Sequence, residues 1–188
     1  MLKPLPVLSP EQQLKNLGPF TYTIDCASCP FRDGCNTALA PIPVSAPNGI
    51  VQLMVISEQP SFEEETLGFA YGDRHSRYLK DLIAQIFSPY HTYYTYLSKC
   101  RTEKKLGKRN NQMCRETWLF KELDLFKPER ILCLGRNTCK ILGGKQGEFG
   151  NIYKNMGFWE SASIILNSGR NYVTMFRGFL EKLKRVTI

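Results

Sequence analysis

The sequence contains no apolar run approaching the roughly 20 residues that a membrane-spanning helix requires. Its opening, MLKPLPVLSP, lacks the hydrophobic core of a secretory signal. It has no internal repeat and no low-complexity tract, and its only two histidines are His75 and His91. These absences argue against a membrane protein, a secreted protein and a repeat array. A cytoplasmic protein is expected, in a compartment where disulfides are uncommon.

With 188 residues the chain is long enough for one compact core and too short for two large domains. Hydrophobic residues make up 43%, which excludes a disordered chain. A net charge of +8 favours a polyanionic partner, most often nucleic acid. Seven cysteines in a reducing compartment call for metal ligation, redox chemistry or packing.

Along the chain, residues 1–20 read as a proline-marked N-terminal arm, and 21–188 as a single domain. Residues 26–47 are loop-like. "GIVQLMVIS" (49–57) is a buried strand, and "EQPSFEEETLG" after it reads as an acidic loop. From about Ser76, the residues Tyr78, Leu79, Leu82, Ile83 and Ile86 form one helical stripe. "YYTYLS" (93–98), "ERILCLG" (129–135) and "SASIILNS" (161–168) are further strands. Helices are expected over 112–126, through Ile141 and Leu142, and along "YVTMFRGFLEKLKRV" near the C-terminus. Strands alternating with helices give an α/β domain with a largely parallel sheet. Ligands of such sheets bind beyond the carboxyl ends of the strands, here 57–61, 96–100, 135 and 167–169.

The cysteines divide into groups. Cys26 and Cys29 form a C-x2-C in a turn-rich loop, a spacing that lets two thiolates face one metal. Cys100 sits between Lys99 and Arg101 at a strand end, and Cys114, fourteen residues later, begins a helix. Cations and a helix N-terminus both favour thiolates. Four such cysteines suit a 4Fe-4S cluster. Zinc is the rival, although zinc ribbons use two short knuckles and the second pair here is widely spaced. Cys35 is an alternative ligand, while Cys133 and Cys139 read as core residues.

The order C-x2-C, "VQLMVISEQPSFEEETLG", "SKCR" and "MCRETWLFKELDLFKPERILCLGRNTCKILGG" resembles the iron–sulfur (family 4) uracil-DNA glycosylases over about residues 26–144. The resemblance implies a three-layer α/β/α sandwich around a four-stranded, largely parallel sheet. It also implies a 4Fe-4S cluster on Cys26, Cys29, Cys100 and Cys114, and a DNA-binding cleft at the strand ends. The family's first motif, roughly G-E-x-P-G-x-x-E, stands here as Ser57-Glu58-Gln59-Pro60-Ser61-Phe62-Glu63-Glu64, with both glycines replaced by serine. Tyr71 falls where the family stacks a phenylalanine on the extruded base, and Tyr96 where it reads uracil with an asparagine. The closing H-P-S motif appears as Leu166-Asn167-Ser168, without its histidine.

Base excision requires extracting a base from the stack and stabilising a cationic sugar and a departing base. Glu58 and Glu64 are the candidate catalytic carboxylates. Gln59, Ser61, Tyr71, Tyr96, Asn167 and Ser168 are the candidate base pocket. Lys99, Arg101, Lys104, Lys105, Lys108 and Arg109 have the spacing of phosphate contacts, which Arg74, Arg77 and the cationic C-terminal face extend. The expected function is a DNA glycosylase with altered, modified-base specificity, acting as a monomer on DNA with no small-molecule cofactor beyond the cluster. The alternatives are a non-catalytic DNA-binding iron–sulfur protein of the same fold and a zinc-ribbon-like interaction protein.

Overall fold

The computed structural model of the chain describes residues 50–101, 114–142, 154–158 and 170–185. Its elements are β1 (Leu53–Ser57), α1 (Phe62–Leu67), α2 (Arg74–Ala84), β2 (Thr92–Tyr96), α3 (Phe120–Phe126), β3 (Arg130–Leu134), α4 (Arg136–Leu142), β4 (Lys154–Phe158) and α5 (Arg170–Arg185). A short 3-10 turn at Pro89–His91 leads into β2, and a π-helical turn at Arg115–Leu119 leads into α3. The sheet runs β2-β1-β3-β4, and every pair is parallel.

Parallel strands are covered on both faces, so they read as nearly continuous apolar runs. Strand β1, LMVIS, is the type case, with its first four residues buried. Successive side chains alternate between faces. Leu53 and Val55 join Tyr94, Tyr96, Leu132 and Leu134 against Leu79, Leu82 and Ile83 of α2 and Phe176, Leu180 and Leu183 of α5. Met54 and Ile56 join Tyr93, Ile131 and Cys133 against Leu119, Leu123 of α3 and Cys139 of α4. The sheet therefore lies between two helical layers. Cys133 and Cys139 are core residues as their setting suggests, and burial pushes the Cys139 thiol up to about 11. Among the described residues, no helix is long and apolar enough to cross a membrane.

Several expectations change. The acidic stretch after β1 is not all loop, because α1 forms there. Ser61 and Glu64 make a reciprocal capping box, and Gly68 ends the helix in the left-handed region at φ 75°. Helix α2 begins two residues earlier than Ser76 because the Asp73 side chain caps it by accepting from Ser76 N. Tyr78, placed on the buried stripe, is 42% exposed. Strand β4 forms at 154–158, where KNMGF carries no strand signal; pairing with β3 overrides local preference there. The strand expected at 161–168 and the arm at 1–20 lie outside the described residues.

Lys99 requires the largest correction. It is not a phosphate contact, being 1% exposed. Its Nζ lies 2.8 Å from Glu122 Oε1 and donates to the Tyr96 carbonyl at 2.9 Å and to the Thr95 hydroxyl. Thr95 in turn donates to Glu122 Oε2 at 2.8 Å. This cluster fastens the carboxyl end of β2 to α3. Removing one partner of a buried pair leaves an uncompensated charge, at a cost of about 3–5 kcal/mol. Lys99→Met should therefore lower the unfolding free energy by about that much in denaturant titrations, and Lys99→Met with Glu122→Leu should recover most of the loss. A single variant as stable as the parent would show that the pair does not hold β2 to α3.

Candidate base-binding pocket

Beyond the carboxyl ends of β1 and β2 the two strands continue to pair through their loops. Leu97 N donates to the Ser57 carbonyl at 2.8 Å, and Ser98 N to the Glu58 carbonyl at 3.0 Å. This extension holds the residues after β1 in place over a pocket of about 350 Å³. Glu58, Gln59, Ser61, Glu64, Tyr71, Tyr96 and Arg101 all line it, so the described catalytic and base-pocket candidates and Arg101 converge on one cavity, while Lys99, Cys100 and Cys114 are not among its lining residues. Leu134 and Gly135 close it from β3, with Gly135 at φ 87°.

Glu58 is half-buried, and one carboxylate oxygen accepts from Asn137 Nδ2 of α4 at 3.0 Å. Glu64 is 3% exposed. Its Oε2 accepts from Ser61 N at 2.7 Å, and its Oε1 lies 3.0 Å from Ser76 Oγ. Burial raises the Glu64 pKa, with the Asp73 charge adding to the rise, against its hydrogen bonds with Ser61 N and the Ser76 hydroxyl. Asp73 moves the other way. Burial alone would raise it, but hydrogen bonds from Ser76 N, the Ser61 and Ser76 hydroxyls and His75 N hold it below the usual carboxylate range.

The two tyrosines hold one another. Their rings stack at 4.9 Å between centroids and 21° between planes, and Tyr94 packs on Tyr71 at 5.1 Å. Tyr71 N donates to the Tyr96 hydroxyl at 2.9 Å, which fixes Tyr71 at the unusual φ of 51°. The Tyr71 hydroxyl is hydrogen-bonded to Ser57 Oγ (2.7 Å) and the Thr95 carbonyl (2.9 Å). Each residue is 1% exposed, so Tyr71 does not present a bare ring to an incoming base. That corrects the expectation of a stacking platform: Tyr96 already covers one face.

Arg101 stands at the rim, 3.6 Å from Glu65 Oε2, with its guanidinium 5.2 Å above the Phe62 ring. Arg74 and Arg77 are exposed, and Arg77 Nε donates to the Gly72 carbonyl at 2.8 Å. Cys26, Cys29, Lys104, Lys105, Lys108, Arg109, Asn167 and Ser168 lie outside the described residues. Four pocket groups went unassigned in the sequence reading: Asp73, His75, Ser76 and the Glu58 partner Asn137. An aspartate directly before an amphipathic stripe is a helix-cap signal, which would have drawn attention to Asp73 and, three residues on, Ser76. Nothing in the sequence links Asn137 to Glu58, 79 positions away.

Glu64 has a consequence for stability. Its folded pKa is raised above 4.5, so its contribution is complete below about pH 4.5 and falls as pH rises through the folded value. A Glu64→Gln variant keeps the amide and hydroxyl contacts without the titration. Its melting temperature relative to the parent should rise as pH is taken upward from about 4.5, until Glu64 has ionised in the folded parent. A difference that stays flat across that range would show that Glu64 titrates normally.

A profile of the uracil DNA glycosylase superfamily matches residues 47–184. No curated protein gives a significant match. The match spans β1 through most of α5 and includes every pocket residue described above. The chain belongs to the uracil DNA glycosylase superfamily.

Proposed function

We propose that the protein is a DNA glycosylase that flips a base into the pocket at the carboxyl edge of the sheet and hydrolyses its N-glycosidic bond, with a base choice different from uracil. The observation that carries this reading is Glu58, a carboxylate held by Asn137 at the end of a buried strand, above a cavity of nucleobase size. Glycosidic cleavage develops positive charge on the sugar, and a fixed carboxylate beside it stabilises that charge or orients the attacking water. Tyr96, standing where the resembling family has its uracil-reading asparagine, gives the pocket a different shape and hydrogen-bond pattern. Arg101 at the rim, with Lys104, Lys105, Lys108 and Arg109 following it in sequence, supplies the charge for the phosphate backbone.

Base flipping followed by cleavage is tested on duplexes carrying a panel of normal and modified bases, scored for abasic sites. The parent should excise at least one base. Glu58→Gln should slow that excision by about 100-fold or more while DNA affinity changes little. One observation favours a second reading, a non-catalytic DNA-binding protein: Tyr96 occupies the stacking face of Tyr71. Tight DNA binding without cleavage of any base would select it.

A 4Fe-4S cluster on Cys26, Cys29, Cys100 and Cys114 belongs to the same proposal. The described half of this set fits. Cys100 and Cys114 are both half-buried, and Lys99 N, in the residue before Cys100, donates to Cys114 Sγ at 3.4 Å. Backbone N–H groups aimed at sulfur favour thiolate and cluster ligation. When bound, the cluster would pin the basic segment between Cys100 and Cys114 beside the pocket, a structural role. Anaerobically purified protein should carry about four irons with visible absorption. Cys114→Ser should lose both and melt at lower temperature; a colourless, zinc-bearing protein would defeat the assignment.

A further inference from the structure

In the wall of the pocket, two buried carboxylates share one hydroxyl. Ser76 Oγ lies 3.0 Å from Glu64 Oε1 and 3.1 Å from Asp73 Oδ2. A serine hydroxyl has one proton to donate. If both acids were ionised, one of these contacts would set lone pair against lone pair in a buried site. Counting the other donors settles which acid is neutral. Asp73 accepts from Ser76 N at 2.8 Å and from Ser61 Oγ at 2.9 Å, so it is well supplied as a carboxylate. Glu64 accepts from Ser61 N on Oε2, and its Oε1 faces Ser76. Every bond is made when Glu64 Oε1–H donates to Ser76 and Ser76 donates to Asp73.

We propose that Glu64, Ser76 and Asp73 form a proton-holding relay, and that Glu64, as a neutral carboxylic acid lining the pocket, supplies the proton to the departing base. This rests on the glycosylase reading and specifies its substrate class: bases that leave as anions through a ring nitrogen conjugated to an oxo group. As the C1′–N bond breaks, its electron pair goes to the base and the Glu64 proton follows. Water adds to C1′, and the proton it releases restores Glu64. Asp73 is a positioning residue whose charge keeps the proton on Glu64. The opposite shifts of the two acids, Glu64 upward by burial and Asp73 downward despite it, agree with this count. The other titratable groups around Glu64 are Glu58, Tyr71, His75, Tyr96 and Arg101, which line the same pocket, and Lys80 of α2. His75 borders the pocket with its side chain 37% exposed and its Nδ1 4.0 Å from Asp73 Oδ1, outside the relay.

Two measurements test the relay in the full-length protein. Carbon-detected NMR titration of glutamate carboxyls, assigned with Glu64→Gln, should find Glu64 titrating above the ordinary range and moving down in Asp73→Asn. Excision is then compared on the oxo base identified by the panel and on N7-methylguanine, which leaves neutral. Glu64→Gln should slow the first by about 100-fold or more and the second little, with DNA affinity retained. The alkaline limb of the pH–rate profile should move to lower pH in Asp73→Asn. Ordinary titration of Glu64, undiminished oxo-base excision by Glu64→Gln, or a parent that removes only N7-methylguanine would each overturn the relay and leave the glycosylase reading standing. Excision of nothing by the parent would overturn that reading, and proton delivery with it.

Discussion

A parallel strand covered on both faces keeps a polar side chain inside only where it finds a partner, as Thr95 does, and otherwise carries it to its ends. That constraint organises this molecule. Strand β1 is buried from Leu53 to Ile56, and its first polar residues, Ser57 and Glu58, emerge where the sheet stops. Strand β2 is buried throughout, and the register sets its last residue, Tyr96, against Ser57 at the same edge. The polar groups of two neighbouring strands are thereby delivered to one edge, and α1 and α2 contribute theirs from above through Ser61, Glu64, Asp73 and Ser76. The pocket follows from the packing of the sheet.

The Lys99–Glu122 pair shows the same constraint resolved inwardly. A cation at the end of β2 can turn outward to solvent or inward to a partner. Here α3 places Glu122 within 2.8 Å, and Thr95 and the Tyr96 carbonyl complete the shell of the ammonium. Burial of two ions is costly unless every proton finds an acceptor, which this arrangement provides. With Lys99 committed, its backbone N–H is oriented onto Cys114, and Arg101 is the first cation of the segment to reach the pocket rim. Charge counted along a sequence does not distinguish these fates.

That difference explains what the sequence did and did not reveal. The strands at 53–57, 92–96 and 130–134 and the C-terminal helix were legible, because burial writes itself as apolar runs and stripes. Glu58, Glu64, Tyr71 and Tyr96 were legible through position at strand ends and through family resemblance, and one pocket gathers them. Lys99 was misread because its partner lies on another element. Helix α1 was misread because three consecutive glutamates look like a solvated loop, although Ser61 and Glu64 carry a capping-box spacing. Strand β4 was missed because its signal resides in β3.

Ser57 and Ser61 connect these observations. Ser57 bonds the Tyr71 hydroxyl, and Tyr71 N–H holds the Tyr96 hydroxyl, so the first serine is tied to the aromatic pair that narrows the stacking face. Ser61 bonds Asp73 and caps Glu64, so the second is tied to the pair of acids. Tyr96, Glu64 and both serines line the same pocket. Tyr96→Asn alone would strip Tyr71 N–H of its acceptor and leave a buried donor unpaired. The shape of this pocket is therefore held by two hydrogen-bond networks, each anchored on one of the two serines.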